Sequence, residues 1–450
     1  MAKSKQKFIC QNCEAVFYKW AGRCESCGEW NSLVEQTLPE VGRSAVARSI
    51  NNGKPLQVNS LNSIPFEEGM KRLKTGIGDL DIILGGGILP GGVTLLAGQP
   101  GIGKSTLLLQ TVSNIAHNYD VLYISGEESA GQVRLRAARL GADKSSNLNF
   151  AASTSADDIA ATIRTGKYQL VVVDSVQTLH LNEITSSPGS VSQITNSSNA
   201  IINAAKETGT SVIFVGHVTK EGSIAGPKIL EHLVDVVLQF EGDRYGGFKI
   251  VRAVKNRYGS TNEAAIFEMG EKGLRIVENP SAALLAERRD EDGSVVLATL
   301  EGARPLLVEI QALVNSTNFG YPKRTASGFD INRLNLLIAV LERRTKLKLS
   351  DKDIYINVVG GIKISDPAAD LAICMAIASA SAGRRLNYGT VVFGEVGLGG
   401  EVRSVTSIEK RITEAKKLGF TKALAPRTGK NDFIIGVDNV RSTLIEYLQK

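Results

Sequence analysis

Short apolar runs alternate with helix-periodic stretches through the middle of the chain. Val93-Thr94-Leu95-Leu96-Ala97 reads as a strand buried on both faces, and Leu107, Leu108, Thr111, Val112 and Ile115 then recur at helical spacing. The alternation continues with a strand at Val121 to Ser125 and a helix at Gln132 to Leu140, whose Arg134, Arg136 and Arg139 are expected on exposed sides. Leu170-Val171-Val172-Val173 is a further strand with an acidic end, Asp174-Ser175, and Ser211 to Gly216 is another, followed by His217. Val236 to Phe240 and Phe248 to Val254 are expected as a final antiparallel pair. Such alternation predicts a mostly parallel α/β sheet with ligand sites at the carboxyl ends of its strands.

From about Pro280 the rhythm changes. Ser294 to Leu300, Leu306 to Leu313, Ile354 to Val359 and Val391 to Phe393 predict strands, and Asn332 to Glu342, Pro367 to Ala380 and Ser407 to Leu418 predict helices. At the other end, Gln36 to Ser60 lacks periodicity and reads as a linker. The expected organisation is a small module over 1–36, a linker over 37–60, an α/β domain over 61–278 and an α+β domain over 279–450. A length of 450 residues asks for several domains in any case.

Composition changes this picture little. Hydrophobic residues at 43% and charged residues at 22% describe a soluble globular chain, and no apolar run reaches the length of a membrane span. No apolar segment follows the basic N-terminus, so a cytoplasmic location is expected. The net charge is +6; from Pro280 onward 24 Lys/Arg face 19 Asp/Glu, so most of the excess sits there, a weak sign of an anionic partner.

Candidate chemistry changes it a great deal. Gly98-Gln99-Pro100-Gly101-Ile102-Gly103-Lys104-Ser105, followed by Thr106, fits the phosphate-binding loop G-x-x-x-x-G-K-[ST], with a strand before it and a helix after it. Loop amides would cradle the phosphates of ATP, Lys104 would reach the β- and γ-phosphates, and Ser105 would hold Mg²⁺. Asp174, at a strand tip, is suited to orient that Mg²⁺. Glu127 and Glu128 follow another strand tip, where either can polarise an attacking water; helix capping is their competing role.

Cys10-x-x-Cys13 and, ten residues on, Cys24-x-x-Cys27 supply four soft ligands for a structural Zn²⁺. Phe17, Trp20 and Trp30 are expected to form the small core of that module.

Taken together, the four-cysteine module, Lys74-Thr75-Gly76-Ile77-Gly78, the phosphate loop, Ser125-Gly126-Glu127-Glu128-Ser129 and Lys255-Asn256-Arg257-Tyr258-Gly259 resemble the RadA (Sms) family of bacterial RecA relatives. The family carries Phe where this chain has Tyr258, a conservative departure. The resemblance implies a RecA-like P-loop ATPase core with an N-terminal four-cysteine zinc finger and a C-terminal Lon-protease-like α+β domain. It implies a homohexameric ring at the nucleoid that binds single-stranded and branched DNA. ATP would drive branch migration or unwinding in recombinational repair, alongside RecA or replication and recombination proteins. Glu127 would take the water-activating position, with Glu128 beside it.

Lys255 and Arg257 would act either on a neighbouring subunit's ATP or on DNA. Lys220 and Lys228, in the loop after the Ser211–Gly216 strand, would touch DNA phosphates, and His217 at that strand's end is suited to sense the nucleotide. In the Lon-like segment, Asp366-Pro367-Ala368-Ala369-Asp370 puts Ala368 where Lon-type enzymes carry the nucleophilic serine, and Glu409 takes the place of their lysine. That argues against a peptidase. The remaining alternative is a KaiC-like regulatory ATPase that does not translocate.

Overall fold

The computed structural model describes residues 7–10, 15–30, 32–36, 60, 71–217, 228–242, 247–317, 320–429 and 431–448. Cys13, the 37–60 linker apart from Ser60, and Lys220 with its loop lie outside them. The chain forms two compact units, Met1–Glu68 and Gly69–Lys450.

In the first unit, β1 (Lys7–Cys10) pairs antiparallel with both β2 (Val16–Phe17) and β3 (Leu33–Gln36). Its interior consists of Phe8, Cys10, Cys24 and Leu33, with Phe17 and Ala21 packed against it. Trp20 and Trp30, expected in that core, are instead exposed. Strands of two to four residues enclose room for little beyond the cysteines and the side chains of the sheet itself, and both indoles lie outside the strands.

The second unit opens with α1 (Gly78–Ile83) and β4 (Val93–Gly98), followed by α2 (Lys104–Ile115), β5 (Val121–Ser125), α3 (Ala130–Leu140), β6 (Leu148–Ala152) and α4 (Ala156–Arg164). Next come β7 (Leu170–Asp174), α5 (Val191–Thr208), β8 (Ser211–His217) and α6 (Lys228–Leu233). The run closes with β9 (Val236–Gly242), β10 (Lys249–Asn256), β11 (Ala264–Gly270) and β12 (Gly273–Ile276). The nine strands make one sheet in the order β12-β11-β10-β9-β4-β8-β7-β5-β6. Strands β4 to β9 pair in parallel where they adjoin, and β9 to β12 form an antiparallel extension. The pair expected to end the domain is therefore followed by two more strands.

All residues of β4, β5 and β7 are buried, because helices cover both faces. Leu107, Leu108, Val112 and Ile115 of α2 pack on one face, and Ile159 and Ile163 of α4 with Ile194 and Ile201 of α5 pack on the other.

Beyond β12 lie α7 (Pro280–Leu285), β13 (Ser294–Glu301), β14 (Arg304–Ser316), β15 (Arg324–Ser327), α8 (Ile331–Val340) and β16 (Lys352–Val358). They are followed by α9 (Ala369–Ala382), β17 (Thr390–Val392), the short pair β18 (Glu395–Val396) and β19 (Val402–Arg403), α10 (Ile408–Lys417), β20 (Lys422–Pro426), β21 (Ile434–Val437) and α11 (Val440–Tyr447). Seven of these strands form a mixed sheet, β15-β16-β14-β13-β17-β20-β21, with α9 sunk in its core.

The division expected at 278/279 separates two sheets but not two compact units. Ile250 and Ile266 of the first sheet share a hydrophobic cluster with Val295 and Leu307 of the second, and Arg252 Nε lies 2.5 Å from Glu301 Oε1.

Candidate nucleotide site

Four parallel strand tips converge on one cavity of about 410 Å³. Gly98 ends β4, Ser125 ends β5, Asp174 ends β7 and His217 ends β8. The loop leaving β4 can turn tightly because of its glycines. A Cβ on Gly98 would stand 2.6 Å from the Phe240 carbonyl, and Gly103, the residue before α2, has φ +117°. Ile102 anchors the loop in the core, while Pro100, Gly101, Gly103, Lys104, Ser105 and Thr106 line the cavity. The amino end of α2 thus presents its unpaired amides and positive dipole end to an anion.

Lys104 Nζ donates to the carbonyls of Gly98 (2.8 Å) and Gln99 (3.0 Å) and approaches His217 Nδ1 at 3.2 Å. Burial lowers the Lys104 pKa to about 8, against the opposing pull of the Asp174 and Glu127 carboxylates. Ser105 Oγ donates to Asp174 Oδ2 at 2.8 Å, and the buried Tyr123 hydroxyl donates to the same oxygen at 2.6 Å. Burial, reinforced by Asp174, raises the Tyr123 phenol well above its ordinary range, so it stays a donor. The Ser105 hydroxyl and the Asp174 carboxylate are hard oxygen ligands side by side at the cavity, a donor set that fits Mg²⁺.

The two glutamates part company. Glu127 accepts a hydrogen bond from Ser175 Oγ, and its Oε1 lies 3.4 Å from His217 Nε2. The His217 contact, with Ser175 and the nearby Lys104, outweighs burial and lowers the Glu127 pKa to about 2. Glu128 is held by Arg136 in a two-pronged ion pair of 2.8 and 2.6 Å. Neither caps α3. Ser129 does so through a capping box with Gln132, which removes the competing role.

Arg134 and Arg139 are exposed, as read from the sequence, whereas Arg136 is half-buried; Arg136 and Arg139 both line the cavity. They sit one turn apart on α3, and the turn after β5 folds that face back over the phosphate loop. The i, i+3 spacing was visible in the sequence; the direction of the face was not.

Lys255 and Arg257 are at the other end of the sheet. Asn256 pairs with Val236, which pairs with Thr94 near the start of β4, so antiparallel β10 carries both cations away from the cavity. Lys255 Nζ donates to the carbonyls of Glu231, His232 and Val234 at the end of α6, and Arg257 bonds the buried Asp235 carboxylate at 3.1 Å. Lys228 begins α6.

In the zinc-finger module, Sγ atoms of Cys10, Cys24 and Cys27 lie within 4.8 Å of one another, with Cys10 and Cys27 3.6 Å apart. Thiolates at about 2.3 Å from a tetrahedral Zn²⁺ stand roughly 3.8 Å apart, so these three fit that ion. In the second sheet, Ala368 is fully buried, and Glu409 is exposed beside Lys410, whose Nζ donates to the Ala303 carbonyl.

Comparison with known proteins agrees along the chain. Residues 8–35 match the rubredoxin metal binding domain, 69–223 the AAA domain and 334–429 the subunit ChlI of Mg-chelatase. The chain is 48% identical to DNA repair protein RadA of Bacillus subtilis, over 99% of both chains. It is 46% identical to the protein of that name from Pseudomonas aeruginosa, over 95% of this chain and 94% of the relative. The Brucella abortus protein of that name is 46% identical, over 95% and 92%.

Proposed function

The chain belongs to the RadA family, and from that membership we propose that it is a DNA repair ATPase whose turnover is stimulated by single-stranded DNA. The observation that carries the reading is the convergence of Lys104, Ser105, Asp174, Glu127 and His217 on one open cavity at four strand tips.

ATP enters with its phosphates over the loop amides, and Lys104 exchanges its protein carbonyls for β- and γ-phosphate oxygens. Ser105 and Asp174 would hold Mg²⁺, which would supply charge compensation for the phosphates. Glu127 accepts a hydrogen bond from the attacking water. A carboxylate held so far below neutrality is a weak base, so its work is to orient the water, which a loose phosphoryl-transfer transition state chiefly requires.

Lys255 and Arg257, at the far end of the sheet from this cavity, act either on a neighbouring subunit's ATP or on DNA. The first of these roles requires the homohexameric ring. Lys220 and Lys228 contact the DNA strand, and turnover drives branch migration or unwinding at recombination intermediates in the cytoplasm. Other recombination proteins meet the ring there. The C-terminal sheet is a scaffold for the ring and cleaves no peptide, since Ala368 has no oxygen with which to attack.

ATP hydrolysis measured with and without single-stranded DNA, for the native chain and Lys104→Ala, tests this. The expected result is stimulation by DNA and its loss in the variant. Turnover indifferent to DNA sinks the motor and favours a regulatory ATPase.

A further inference from the structure

Asp174 Oδ2 accepts two hydrogen bonds, from Ser105 Oγ at 2.8 Å and from the Tyr123 hydroxyl at 2.6 Å. Oδ1 of the same carboxylate accepts none among the described residues, and Asp174 lines the cavity. The phosphate-loop pattern accounts for Ser105 and the strand tip for Asp174. Neither accounts for Tyr123, which stands two positions before the tip of β5.

The register of the sheet explains how Tyr123 reaches its partner. Tyr123 pairs with Val172 and Ser125 pairs with Asp174, so Tyr123 and Asp174 share one face of the sheet, a single step apart. The phenol is long enough to close that step. Its ring stays in the core, 2% exposed, in the hydrophobic cluster that includes Leu109 of α2, Val133 of α3 and Val172 of β7. Burial and then the Asp174 carboxylate lift the phenol well above its ordinary range, so the hydroxyl keeps a proton to donate.

A carboxylate turns about a broad, two-fold torsion. Ser105 alone restrains it poorly, because a serine hydroxyl rotates and this one must also turn its oxygen toward a metal. The Tyr123 oxygen is fixed, since it ends a packed ring. We propose that Tyr123 is a positioning residue for the metal site: it holds Oδ2 of Asp174 beside Ser105 and leaves Oδ1 to the cavity, the arrangement that favours magnesium-bound over free nucleotide. The inference rests on the nucleotide reading above and concerns which form of ATP that site prefers.

A buried phenol needs an acceptor in any case. A purely structural Tyr123 would therefore show itself as lost stability with the metal preference intact, and the two roles part in the metal dependence of binding.

The full-length, zinc-loaded protein is titrated with a fluorescent, non-hydrolysable ATP analogue over a series of free Mg²⁺ concentrations. A parallel titration uses buffer freed of divalent ions beforehand, with no chelator present, so that the zinc is kept. Tyr123→Phe retains the ring and removes the donor. Its half-saturating Mg²⁺ concentration rises about tenfold, the loss of one hydrogen bond to a charged group, while its affinity without Mg²⁺ stays within about twofold of native. In an Asp174→Asn background the same substitution adds less than about threefold, because the charge through which it acts is gone. Equal Mg²⁺ requirements in the native and Tyr123→Phe chains overturn the positioning role and leave the nucleotide site standing. An affinity loss of the same size with and without Mg²⁺, accompanied by a lower melting temperature, marks a structural hydroxyl and overturns it too, as do additive losses in the double variant. Failure of the native chain to bind the analogue at all removes the nucleotide reading and the inference together.

Discussion

Nζ of Lys104 lies 3.2 Å from Nδ1 of His217. A charged lysine can only donate there, so Nδ1 is the acceptor and the ring proton sits on Nε2, which faces Glu127 Oε1 at 3.4 Å. One imidazole thus bridges the residue that would bind phosphate and the residue that would orient water. Phosphates entering the cavity would compete with His217 for Lys104, and the bridge to Glu127 would rearrange with it.

The state of Lys104 predicts a pH dependence for nucleotide binding. Burial brings its pKa to about 8 in the free site, and bound phosphate, being anionic, raises it. Affinity is therefore full below about pH 8. Above that value binding must take up a proton, and affinity falls by up to tenfold per pH unit until the raised pKa of the complex is passed. Equilibrium binding of a fluorescent ATP analogue between pH 6.5 and 9.5 reads this directly. Lys104→Arg, which stays charged throughout, flattens the profile in whatever binding it retains. A native profile that is flat above pH 8 contradicts the assignment.

The unequal surroundings of the two glutamates predict unequal losses. Glu127→Gln keeps the shape of the site but removes the charged acceptor, and turnover falls by about 10²- to 10⁴-fold with nucleotide still bound. Glu128→Gln breaks a half-exposed pair with Arg136, worth under about 1 kcal/mol once solvent screening is allowed for. Its turnover stays within about tenfold of the native chain. Single-turnover hydrolysis beside nucleotide affinity separates the two effects, and equal losses would remove the distinction drawn between them.

The strands and their tips were legible in the sequence for a physical reason. A strand covered by helices on both faces must be apolar throughout, and Leu170-Val171-Val172-Val173 announces itself, placing Asp174 at its end. Motif spacing then supplied Lys104 and Ser105. Three features needed the third dimension. Arg136 turns inward because its helix packs back over the phosphate loop, a direction that periodicity does not carry. Trp20 and Trp30 look like core residues by composition, but three short strands enclose no space for them. The two sheets of the second unit fuse through contacts such as Arg252 with Glu301, nearly 50 residues apart and on separate strands, which no local pattern reveals.

The C-terminal sheet holds an ion pair whose removal must be costly. Arg411 is fully buried and donates to Asp366 Oδ2 (2.7 Å) and to the carbonyls of Ala298 (2.7 Å) and Thr406 (3.1 Å). Arg411→Ala strands the Asp366 charge and destabilises the Gly69–Lys450 unit by about 3–5 kcal/mol. Burial alone would raise the Asp366 pKa, but Arg411 more than offsets it and the carboxyl sits below its ordinary 3.8. The contribution of Asp366 is therefore complete above the unfolded value and is lost as pH falls from about 4 through the lower folded value. Urea unfolding of native and variant chains from pH 7 to pH 3 checks both statements. A difference in stability that grows on acidification would have the wrong sign.

Zinc removal should act on one unit and spare the other. Among the described residues the module's interior has only Phe8 and Leu33 besides the cysteines, with Phe17 and Ala21 packed against them, far too little apolar area to hold some thirty residues without the roughly 10–16 kcal/mol that a structural zinc can supply. Chelation under reducing conditions then unfolds the module, and trypsin gains rapid access at Lys19 and Arg23. Tryptophan emission moves little during this, because both indoles are already mostly in water when the module is folded. The Gly69–Lys450 unit has its own cores, and ATP continues to raise its melting temperature. Proteolysis mapped by mass spectrometry, alongside thermal shifts with and without ATP, tests the separation. Loss of the ATP-dependent shift on chelation would show that the nucleotide site depends on the metal module after all.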